Sequence, residues 1–183
     1  MPAESEMTIA NLQDAFSGES QAHMRYRIYG ERAEMEGYPN VARLFRAISY
    51  AEEVHASNHF SRLPLEEGPA TAAAPFGLGD TVHNLEQGIA GESFEINEMY
   101  PAYKEVAAFQ EEKAAGTSFD WALQAEKNHL DFYQRAKESV EAGQDLALDE
   151  VRICSVCGHT LEGEAPEECP ICGAKREEFR EFA

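Results

Sequence analysis

The chain contains one pattern twice, and this repeat restricts its fold more than any other feature. Gly18-Glu19-Ser20 in the first half matches Gly91-Glu92-Ser93 in the second, and Ala51-Glu52-Glu53-Val54-His55 matches Ala125-Glu126-Lys127-Asn128-His129. The two offsets, 73 and 74 residues, are nearly equal. A single short match arises easily by chance, but two matches at one offset indicate an internal repeat.

Each copy of the repeat is predicted to form a helix, a turn and a returning helix. Residues 8 to about 145 are rich in helix-forming residues and poor in proline. Apolar residues recur there with helical spacing, as at Ile9, Leu12 and Phe16. The turn Gly37-Tyr38-Pro39-Asn40 divides the first half, and the segment from Pro64 to Asp80 separates the halves. We therefore expect an all-α four-helix bundle of the ferritin-like type, with one crossover running the length of the bundle.

Two signals disagree about the turn of the second half. Ala114-Ala115-Gly116-Thr117-Ser118 looks like a helix boundary, because glycine ends helices and serine or threonine begins them. However, Glu92 and Glu126 lie level across the hairpin only if the turn centres near residue 109. A turn at Gly116 would displace these carboxylates by roughly 20 Å at 1.5 Å per residue, whereas a glycine inside a helix costs only about 1 kcal/mol. We predict the turn at about residues 108 to 112, with Gly116 inside the fourth helix.

The repeated residues form a ligand set for two metal ions. Residues three apart on a helix share a face, so each Glu-x-x-His motif points its carboxylate and its imidazole the same way. One glutamate from each of two helices, with Glu-x-x-His from each of the other two, is the ligand pattern of di-iron carboxylate bundles. Buried carboxylates repel one another, and two divalent cations remove that cost. A single such motif is usually a solvated pair, but two at matched positions favour metal binding. The candidate ligands are Glu19, Glu52, His55, Glu92, Glu126 and His129.

Other residues near these motifs carry weaker signals. Glu95 lies three residues after Glu92, but it has no counterpart in the first half, so spacing alone leaves a ligand and a surface acid equally open. Helix aromatics are most simply core residues, namely Tyr26, Tyr100, Phe119, Trp121, Phe132 and Tyr133. Three histidines without a partner motif are interpreted as surface residues, namely His23, His59 and His83.

All four cysteines lie close together in the last part of the chain. Cys154-Ser155-Val156-Cys157-Gly158 and Cys169-Pro170-Ile171-Cys172-Gly173 form two knuckles, with eleven residues between the second and third cysteines. This pattern predicts one tetrahedral metal site with four cysteine ligands, which a domain of about 35 residues needs as a staple. Zinc and iron both accept four sulfurs, so a structural zinc ribbon stays open, but iron gains a function beside a redox-active bundle. We predict a bundle domain over residues 1–147 and a four-cysteine domain over residues 148–183.

The charge of the chain disfavours one class of partner. With 15 basic and 34 acidic residues the formal net charge is −19, which disfavours contact with the phosphate backbones of nucleic acids. Solubility or a high-salt habitat explains most of this acidity. The sequence has no apolar run long enough to span a bilayer, and its start, Met1 to Asn11, lacks the features of a signal peptide. From the missing membrane-spanning run and signal peptide we expect a cytoplasmic protein with no membrane partner.

Together these segments resemble the rubrerythrin family over nearly the whole chain. The resemblance rests on the repeated motifs, on Ala90-Gly91-Glu92-Ser93-Phe94-Glu95, on Glu98-Met99-Tyr100-Pro101, and on both cysteine knuckles. It implies a peroxidase that reduces hydrogen peroxide to water in oxidative-stress defence. It also implies two iron ions in a carboxylate-bridged site, and a rubredoxin-like domain whose single iron is held by Cys154, Cys157, Cys169 and Cys172.

The resemblance also implies a role for each site residue. By similarity, the bridging ligands are Glu52 and Glu126, the terminal ligands are Glu19, Glu92 and His129, and the ligands that exchange at the first iron are Glu95 and His55. Tyr26 and Tyr100 would donate hydrogen bonds to the ligand carboxylates and hold their orientation.

The resemblance also implies an electron donor and a partner subunit. Electrons would come from a donor protein, either a rubredoxin or an NAD(P)H-dependent reductase. A homodimer is expected, because a short tail would not reach its own bundle and the iron between the cysteines would serve the partner subunit. The chain departs from the family pattern at His159, where an aromatic residue is usual, and in a spacer between the knuckles that is about one residue short. Two other functions stay open: a ferroxidase or iron-handling ferritin-like protein, and a non-enzymatic metal-binding module with a zinc ribbon.

Overall fold

The computed structural model describes residues 1–64 and 68–183, and the larger part of it is a bundle of four helical rods. The first hairpin pairs α1 (Glu6–Glu36) with α2 (Pro39–Phe60). The third rod consists of α3 (Thr81–Phe94), a π-helical turn (Glu95–Met99) and α4 (Tyr100–Phe109). The fourth rod is α5 (Lys113–Glu141). The four-helix bundle predicted from the repeat is therefore confirmed.

Both hairpin turns lie where the repeat requires them. Gly37 ends α1 with a φ of 89°, and its backbone N–H donates to the carbonyls of Ala33 and Glu34. Residues 110–112 separate α4 from α5, so the turn predicted at about residues 108 to 112 is confirmed. Gly116 lies inside α5. The need to hold glutamates level across the hairpin therefore outweighs the local helix-ending signal at Gly116.

The crossover between the two hairpins runs lengthwise along α1. Its described residues, 61–64 and 68–80, contain no helix or strand. Gln21 Nε2 donates to the Ala72 carbonyl at 3.4 Å, and the Tyr29 hydroxyl, two turns further along α1, donates to the Gly77 carbonyl at 3.1 Å. The crossover predicted from Pro64 to Asp80 is thus present, although residues 65–67 within it lie outside the described residues.

The third rod contains a π-helical turn that was not predicted from the sequence. The backbone N–H of Tyr100 donates to the carbonyl of Glu95, five residues earlier. Pro101 is the signal that could have located this turn, because proline lacks an N–H and clashes with the carbonyl four residues before it. A wider turn at this point relieves both effects. Such turns often occur at functional sites, and this one begins at Glu95.

A small antiparallel sheet organises the C-terminal domain. β1 (Val151–Cys154) lies between β2 (Thr160–Glu162) and β3 (Phe179–Phe182), and a short 3-10 turn, Arg176–Glu178, precedes β3. The β1 side chains of Val151 and Ile153 are fully buried against alanines of α2. Because alanine allows close approach, the sheet lies directly on α2 of the same chain.

Two apolar layers fill the bundle. One contains Tyr26, Tyr29 and Phe45, and the other contains Tyr100 and Phe119. Each layer directs one tyrosine hydroxyl at a polar cluster, because Tyr26 donates to Glu92 and Tyr100 donates to Glu19. Among the described helices, none is both long enough and apolar enough to cross a membrane.

Candidate metal centres

The bundle encloses two overlapping groups of potential metal ligands. Within each group, one oxygen or nitrogen atom from every residue lies within 4.8 Å of the others. The first group is Glu19, Glu52, His55 and Glu126, and the second is Glu52, Glu92, Glu126 and His129. All six side chains are at most 1% exposed. The structure therefore brings together every residue that the repeat nominated, and Glu52 and Glu126 belong to both groups.

Unpartnered atoms and unbalanced charge show that this cluster fits two cations. Glu19 Oε2 and Glu92 Oε2 are buried and make no hydrogen bond. Burial raises the pKa of Glu19 and Glu92 well above the usual range, and the nearby carboxylates of Glu52 and Glu126 raise it further. The four buried carboxylates carry more negative charge than the two imidazoles can balance. Two divalent metal ions would supply the missing positive charge, and the free carboxylate oxygens could bind them.

Both imidazoles present Nδ1 to the cluster. His55 Nδ1 lies 2.9 Å from Glu52 Oε2 and 2.9 Å from Glu126 Oε1, and His129 Nδ1 lies 2.6 Å from Glu126 Oε2. Burial lowers the pKa of both imidazoles, but the carboxylates, Glu126 foremost, outweigh burial and raise it well above the usual value. A metal ion at Nδ1 would take the place of the proton that these carboxylates attract.

The two tyrosines make the hydrogen bonds that the family resemblance implied. The Tyr26 hydroxyl donates to Glu92 Oε1 at 2.8 Å, and the Tyr100 hydroxyl donates to Glu19 Oε1. Both tyrosines are almost fully buried. Burial raises the pKa of both phenols well above 10, and the carboxylates of Glu92 and Glu19 respectively raise it further, so both stay protonated as donors.

Glu95 lies beside the cluster without belonging to either group. Its side chain is half-buried, in contrast to the enclosed ligands. Burial raises the pKa of its carboxyl well above the usual range, and the neighbouring Glu19 and Glu92 raise it further. Since the π-helical turn begins at Glu95, a change in the local backbone there would move this carboxylate toward or away from the cluster. Its role as an exchanging ligand stays a prediction.

The four cysteines form a separate group of potential ligands in the C-terminal domain. Cys154 Sγ lies 3.7 Å from Cys172 Sγ, and Cys157 Sγ lies 3.6 Å from Cys169 Sγ. Four sulfurs bound at about 2.3 Å to one tetrahedral metal lie about 3.8 Å apart, whereas a disulfide holds its sulfurs about 2.05 Å apart. The spacing therefore fits one metal ion and excludes a pair of disulfides.

The four-cysteine domain lies against the bundle of its own chain. Thr160 Oγ1 lies 2.7 Å from His129 Nε2, and Asn58 Nδ2 donates to the Val156 carbonyl at 2.9 Å. The expectation that the tail is too short to reach its own bundle is therefore wrong. Arg43 explains part of the difference, because its guanidinium donates to the carbonyl of Leu148 at 2.7 Å and guides the linker back along α2.

A glycine makes the close approach of the two domains possible. A Cβ added to Gly158 would lie 2.1 Å from His55 Nε2, and the φ of Gly158 is +81°. Gly173 holds the equivalent place in the second knuckle, with a φ of +76°, but a Cβ there would meet nothing within 4 Å. Both glycines thus have a left-handed backbone, and only Gly158 faces a candidate metal ligand.

We expect Gly158→Ala to destabilise the protein more than Gly173→Ala. Both variants introduce the left-handed backbone cost of about 1–2 kcal/mol, but only Gly158→Ala also collides with the buried His55 ring. Thermal unfolding should show a Tm for Gly158→Ala at least about 4 °C below that of Gly173→Ala, since 1 kcal/mol shifts Tm by about 2–4 °C at this chain length. Equal Tm values would mean that the domains do not meet at Gly158.

One histidine lies in the interior and not at the predicted surface position. His59 is fully buried, so its interpretation as a surface residue is wrong. His83 is exposed as expected, whereas His23 is half-buried with Nδ1 2.8 Å from the Ser49 carbonyl. The signal for His59 was its position four residues after His55 on the same helix, which places it on the inward face one turn away. Phe119, Phe132 and Tyr133 lie in the core as predicted, and Trp121 packs partly buried against the four-cysteine domain.

Comparisons with known proteins agree with this two-centre arrangement. The family model for Rubrerythrin matches residues 10–137, and the model for the rubrerythrin rubredoxin-like domain matches residues 153–180. The chain is 46% identical to Rubrerythrin-2 of Clostridium acetobutylicum over 100% of both proteins. It is 34% identical to nigerythrin of Nitratidesulfovibrio vulgaris, over 96% of this chain and 86% of that protein.

Solved structures extend this agreement to three dimensions. A structure described as the fully reduced, all-ferrous state of nigerythrin has a TM-score of 0.83 at 33% identity, covering 98% of this chain and 89% of that one. The predicted combination of a ferritin-like bundle with a rubredoxin-like four-cysteine domain is therefore confirmed. The chain carries candidate sites for a carboxylate-bridged di-iron centre and for one iron between four cysteines.

Proposed function

This chain belongs to the rubrerythrin family, and on that premise we propose that it is a non-haem di-iron peroxidase that reduces hydrogen peroxide to water. Its electrons would pass from a rubredoxin or an NAD(P)H-dependent reductase through the four-cysteine domain to the bundle. One observation carries the proposal: the four-cysteine domain touches a candidate ligand of the di-iron centre, through Thr160 and His129. A storage protein or a structural zinc module has no need of such a contact.

The ligand arrangement suits a reaction that needs two electrons at one place. Bound iron would supply two electrons and Lewis acidity for the cleavage of the peroxide O–O bond. Glu52 and Glu126 come from opposite hairpins and belong to both ligand groups, so they are the residues that we expect to bridge. The hydroxyls of Tyr26 and Tyr100 hold the carboxylates of Glu92 and Glu19 in fixed orientations.

A chain of hydrogen bonds joins the two centres. A metal at His129 Nδ1 requires that Nε2 carries the ring proton, so Nε2–H donates to Thr160 Oγ1 over 2.7 Å. The Thr160 hydroxyl then donates to the Gly158 carbonyl at 3.1 Å. Gly158 directly follows Cys157 in the first knuckle. This path therefore leads from a candidate iron ligand of the four-cysteine site to one of the di-iron centre.

We expect Thr160→Val to slow electron delivery and to leave the reaction with peroxide intact. Valine keeps the shape and strand preference of threonine but removes the hydroxyl that joins His129 to Gly158. Steady-state peroxide reduction should fall about tenfold, in line with changes just outside a metal's ligand shell. The single reaction of chemically prereduced protein with peroxide should keep its rate.

The matched control for this variant is Thr117→Val, which changes an exposed threonine on α5 far from the contact. We expect it to behave as the unchanged protein in both assays. If Thr160→Val slowed the prereduced reaction as strongly as steady-state turnover, the hydroxyl would serve the di-iron centre itself and not electron delivery.

A visible absorption spectrum separates the proposal from its alternatives. Aerobically purified protein should show the red chromophore of iron bound by four thiolates, which bleaches with dithionite, together with consumption of hydrogen peroxide when an electron donor is supplied. A colourless protein with one zinc per four-cysteine site would indicate a non-enzymatic module. Rapid oxidation by O₂ of many more than three Fe²⁺ per chain, without peroxide turnover, would indicate a ferroxidase.

A further inference from the structure

We propose that His59 is a positioning residue for Glu19, because it fixes the hydroxyl of Tyr100 in the direction that donates to the Glu19 carboxylate. The inference rests on the proposed role of Glu19 as a metal ligand, and it does not depend on the peroxidase reaction. It gives a function to a buried histidine that belongs to neither ligand group.

His59 lies at the centre of a four-residue hydrogen-bonded chain. Its Nε2 is 3.1 Å from the Tyr100 hydroxyl, and its Nδ1 is 2.9 Å from Ser118 Oγ. The Tyr100 hydroxyl in turn contacts Glu19 Oε1. The His59 ring packs against those of Tyr100 and Phe119, with centroids 5.8 and 5.3 Å away. Both ring nitrogens are therefore committed, and neighbouring aromatic rings restrict rotation of the imidazole.

The charge at Glu19 sets the direction of every hydrogen bond in this chain. Glu19 is ionised when it binds a metal ion. An ionised carboxylate can only accept, so the single Tyr100 hydrogen then points at Glu19. The Tyr100 oxygen must then accept from His59, which requires a proton on Nε2. Burial, followed by the nearby His55, lowers the pKa of His59 to about 3, so the ring is neutral and Nδ1 carries no proton. Nδ1 therefore accepts from the Ser118 hydroxyl.

The Ser118 hydroxyl can donate to either of two acceptors, and the hydrogen bonds between His59, Tyr100 and Glu19 predict which acceptor it uses. Its Oγ lies 3.2 Å from the Ala115 carbonyl and 2.9 Å from His59 Nδ1. One hydroxyl hydrogen serves only one of them. Donation to His59 keeps the imidazole in the tautomer that supports Tyr100. Donation to Ala115 would favour the opposite tautomer, whose unprotonated Nε2 would compete with Glu19 for the Tyr100 hydrogen.

The other half of the bundle lacks this support. Tyr26 donates to Glu92 as Tyr100 donates to Glu19, but the neighbours of the Tyr26 ring are Tyr29, Phe45 and Tyr133. In the described chain, the Tyr26 hydroxyl makes no hydrogen bond to a histidine. His59 thus makes the two halves of the repeated site unequal. It supports the tyrosine that donates to Glu19, whereas no histidine in the described chain supports the tyrosine that donates to Glu92.

The first test reads the tautomer directly in protein loaded with Zn²⁺, which is diamagnetic. Nitrogen-15 NMR should show His59 neutral, with its proton on Nε2 and none on Nδ1. A proton on Nδ1 would overturn the proposal, because His59 would then take the Tyr100 hydrogen away from Glu19. This measurement needs no variant, so it stands even if a substitution at His59 prevents folding.

The second test measures Co²⁺ binding to the bundle of protein whose four-cysteine site already holds Zn²⁺. We expect His59→Leu to weaken one of the two bundle cobalt sites about tenfold, since changes just outside a ligand shell typically cost 10–100-fold in affinity. The other cobalt site should keep its affinity. His59→Gln retains an N–H donor and should recover part of the loss, and His83→Leu, at an exposed histidine, is the control.

A double-variant cycle decides whether His59 acts through Tyr100. Tyr100→Phe removes the hydroxyl through which the proposed effect passes, so adding His59→Leu to it should cause no further loss of Co²⁺ affinity. A further loss equal to that of His59→Leu alone would overturn the proposal and leave His59 with a packing role. Peroxide turnover enters neither test, so failure here and failure of the proposed peroxidase activity are distinguishable.

Discussion

Glu52→Ala and Glu126→Ala are each expected to abolish peroxide reduction while the absorption of the iron between the four cysteines survives. Each substitution removes a carboxylate that belongs to both ligand groups of the bundle. Loss of a shared ligand affects both metal positions at once, so the turnover rate should fall by at least about a thousandfold. The cysteines lie in a separate domain and keep all four sulfurs. Steady-state peroxide consumption and the visible spectrum of the same sample measure the two effects together.

Glu53→Ala is the matched control for the first of these variants. Glu53 is adjacent to Glu52 on the same helix turn, but its side chain is exposed. Its removal changes the net charge by the same amount as Glu52→Ala, so a general effect of charge would appear in both variants. We expect Glu53→Ala to retain normal turnover. Near-normal turnover in Glu52→Ala or Glu126→Ala would show that the bridging assignment is wrong.

Cys169→Ser is expected to remove the red colour and to stop turnover with an external donor. Serine is a poor replacement for a thiolate ligand of tetrahedral iron, and the loss of one sulfur opens the four-cysteine site. Steady-state turnover should fall by at least about a hundredfold, because an electron path with one iron missing has no alternative carrier. Chemically prereduced protein should still react once with peroxide, since the bundle ligands are untouched. Stopped-flow absorbance of the di-iron centre follows that single reaction.

Ser155→Ala serves as the control in the same domain. Ser155 lies inside the first knuckle, and its hydroxyl donates outward to Glu178 at 2.9 Å. The variant should keep both the colour and the turnover. If Cys169→Ser lost the single reaction with peroxide as completely as it lost turnover, the two domains would not be separable in function.

The position of the second hairpin turn shows how far a sequence can determine structure. Gly116 carries a strong local helix-ending signal, yet the chain turns at residues 110–112 and Gly116 lies inside α5. The prediction was correct because it used the distance between the Glu92 and Glu126 carboxylates, which must lie level across the hairpin to share a metal pair. A turn at Gly116 would separate the two carboxylates by about 20 Å, whereas a glycine inside a helix costs only about 1 kcal/mol. The repeat therefore predicted the position of the hairpin turn as well as the candidate ligands.

His59 and the π-helical turn show where sequence spacing was insufficient. His59 was interpreted as a surface residue because it has no partner motif, although its helical spacing from His55 could have placed it near the site. Its partners, Tyr100 and Ser118, come from two other rods, 41 and 59 residues away in sequence. Pro101 could have indicated an interruption of the third rod, but not that a wider turn would begin at Glu95. Both features depend on how neighbouring rods pack.

The sequence by itself determined the candidate ligand sets, because metal binding needs particular side chains at particular intervals, and the helix sets which of these side chains share a face. The Glu-x-x-His motifs and the cysteine knuckles are local patterns of that kind. Only the tertiary structure decided which bundle the four-cysteine domain contacts, since that depends on the path of a linker and on the fit of two surfaces. Gly158 against His55 and Thr160 against His129 are contacts between residues distant in sequence. The spacing of residues along the sequence does not predict these contacts, because they form only when the sheet packs on α2.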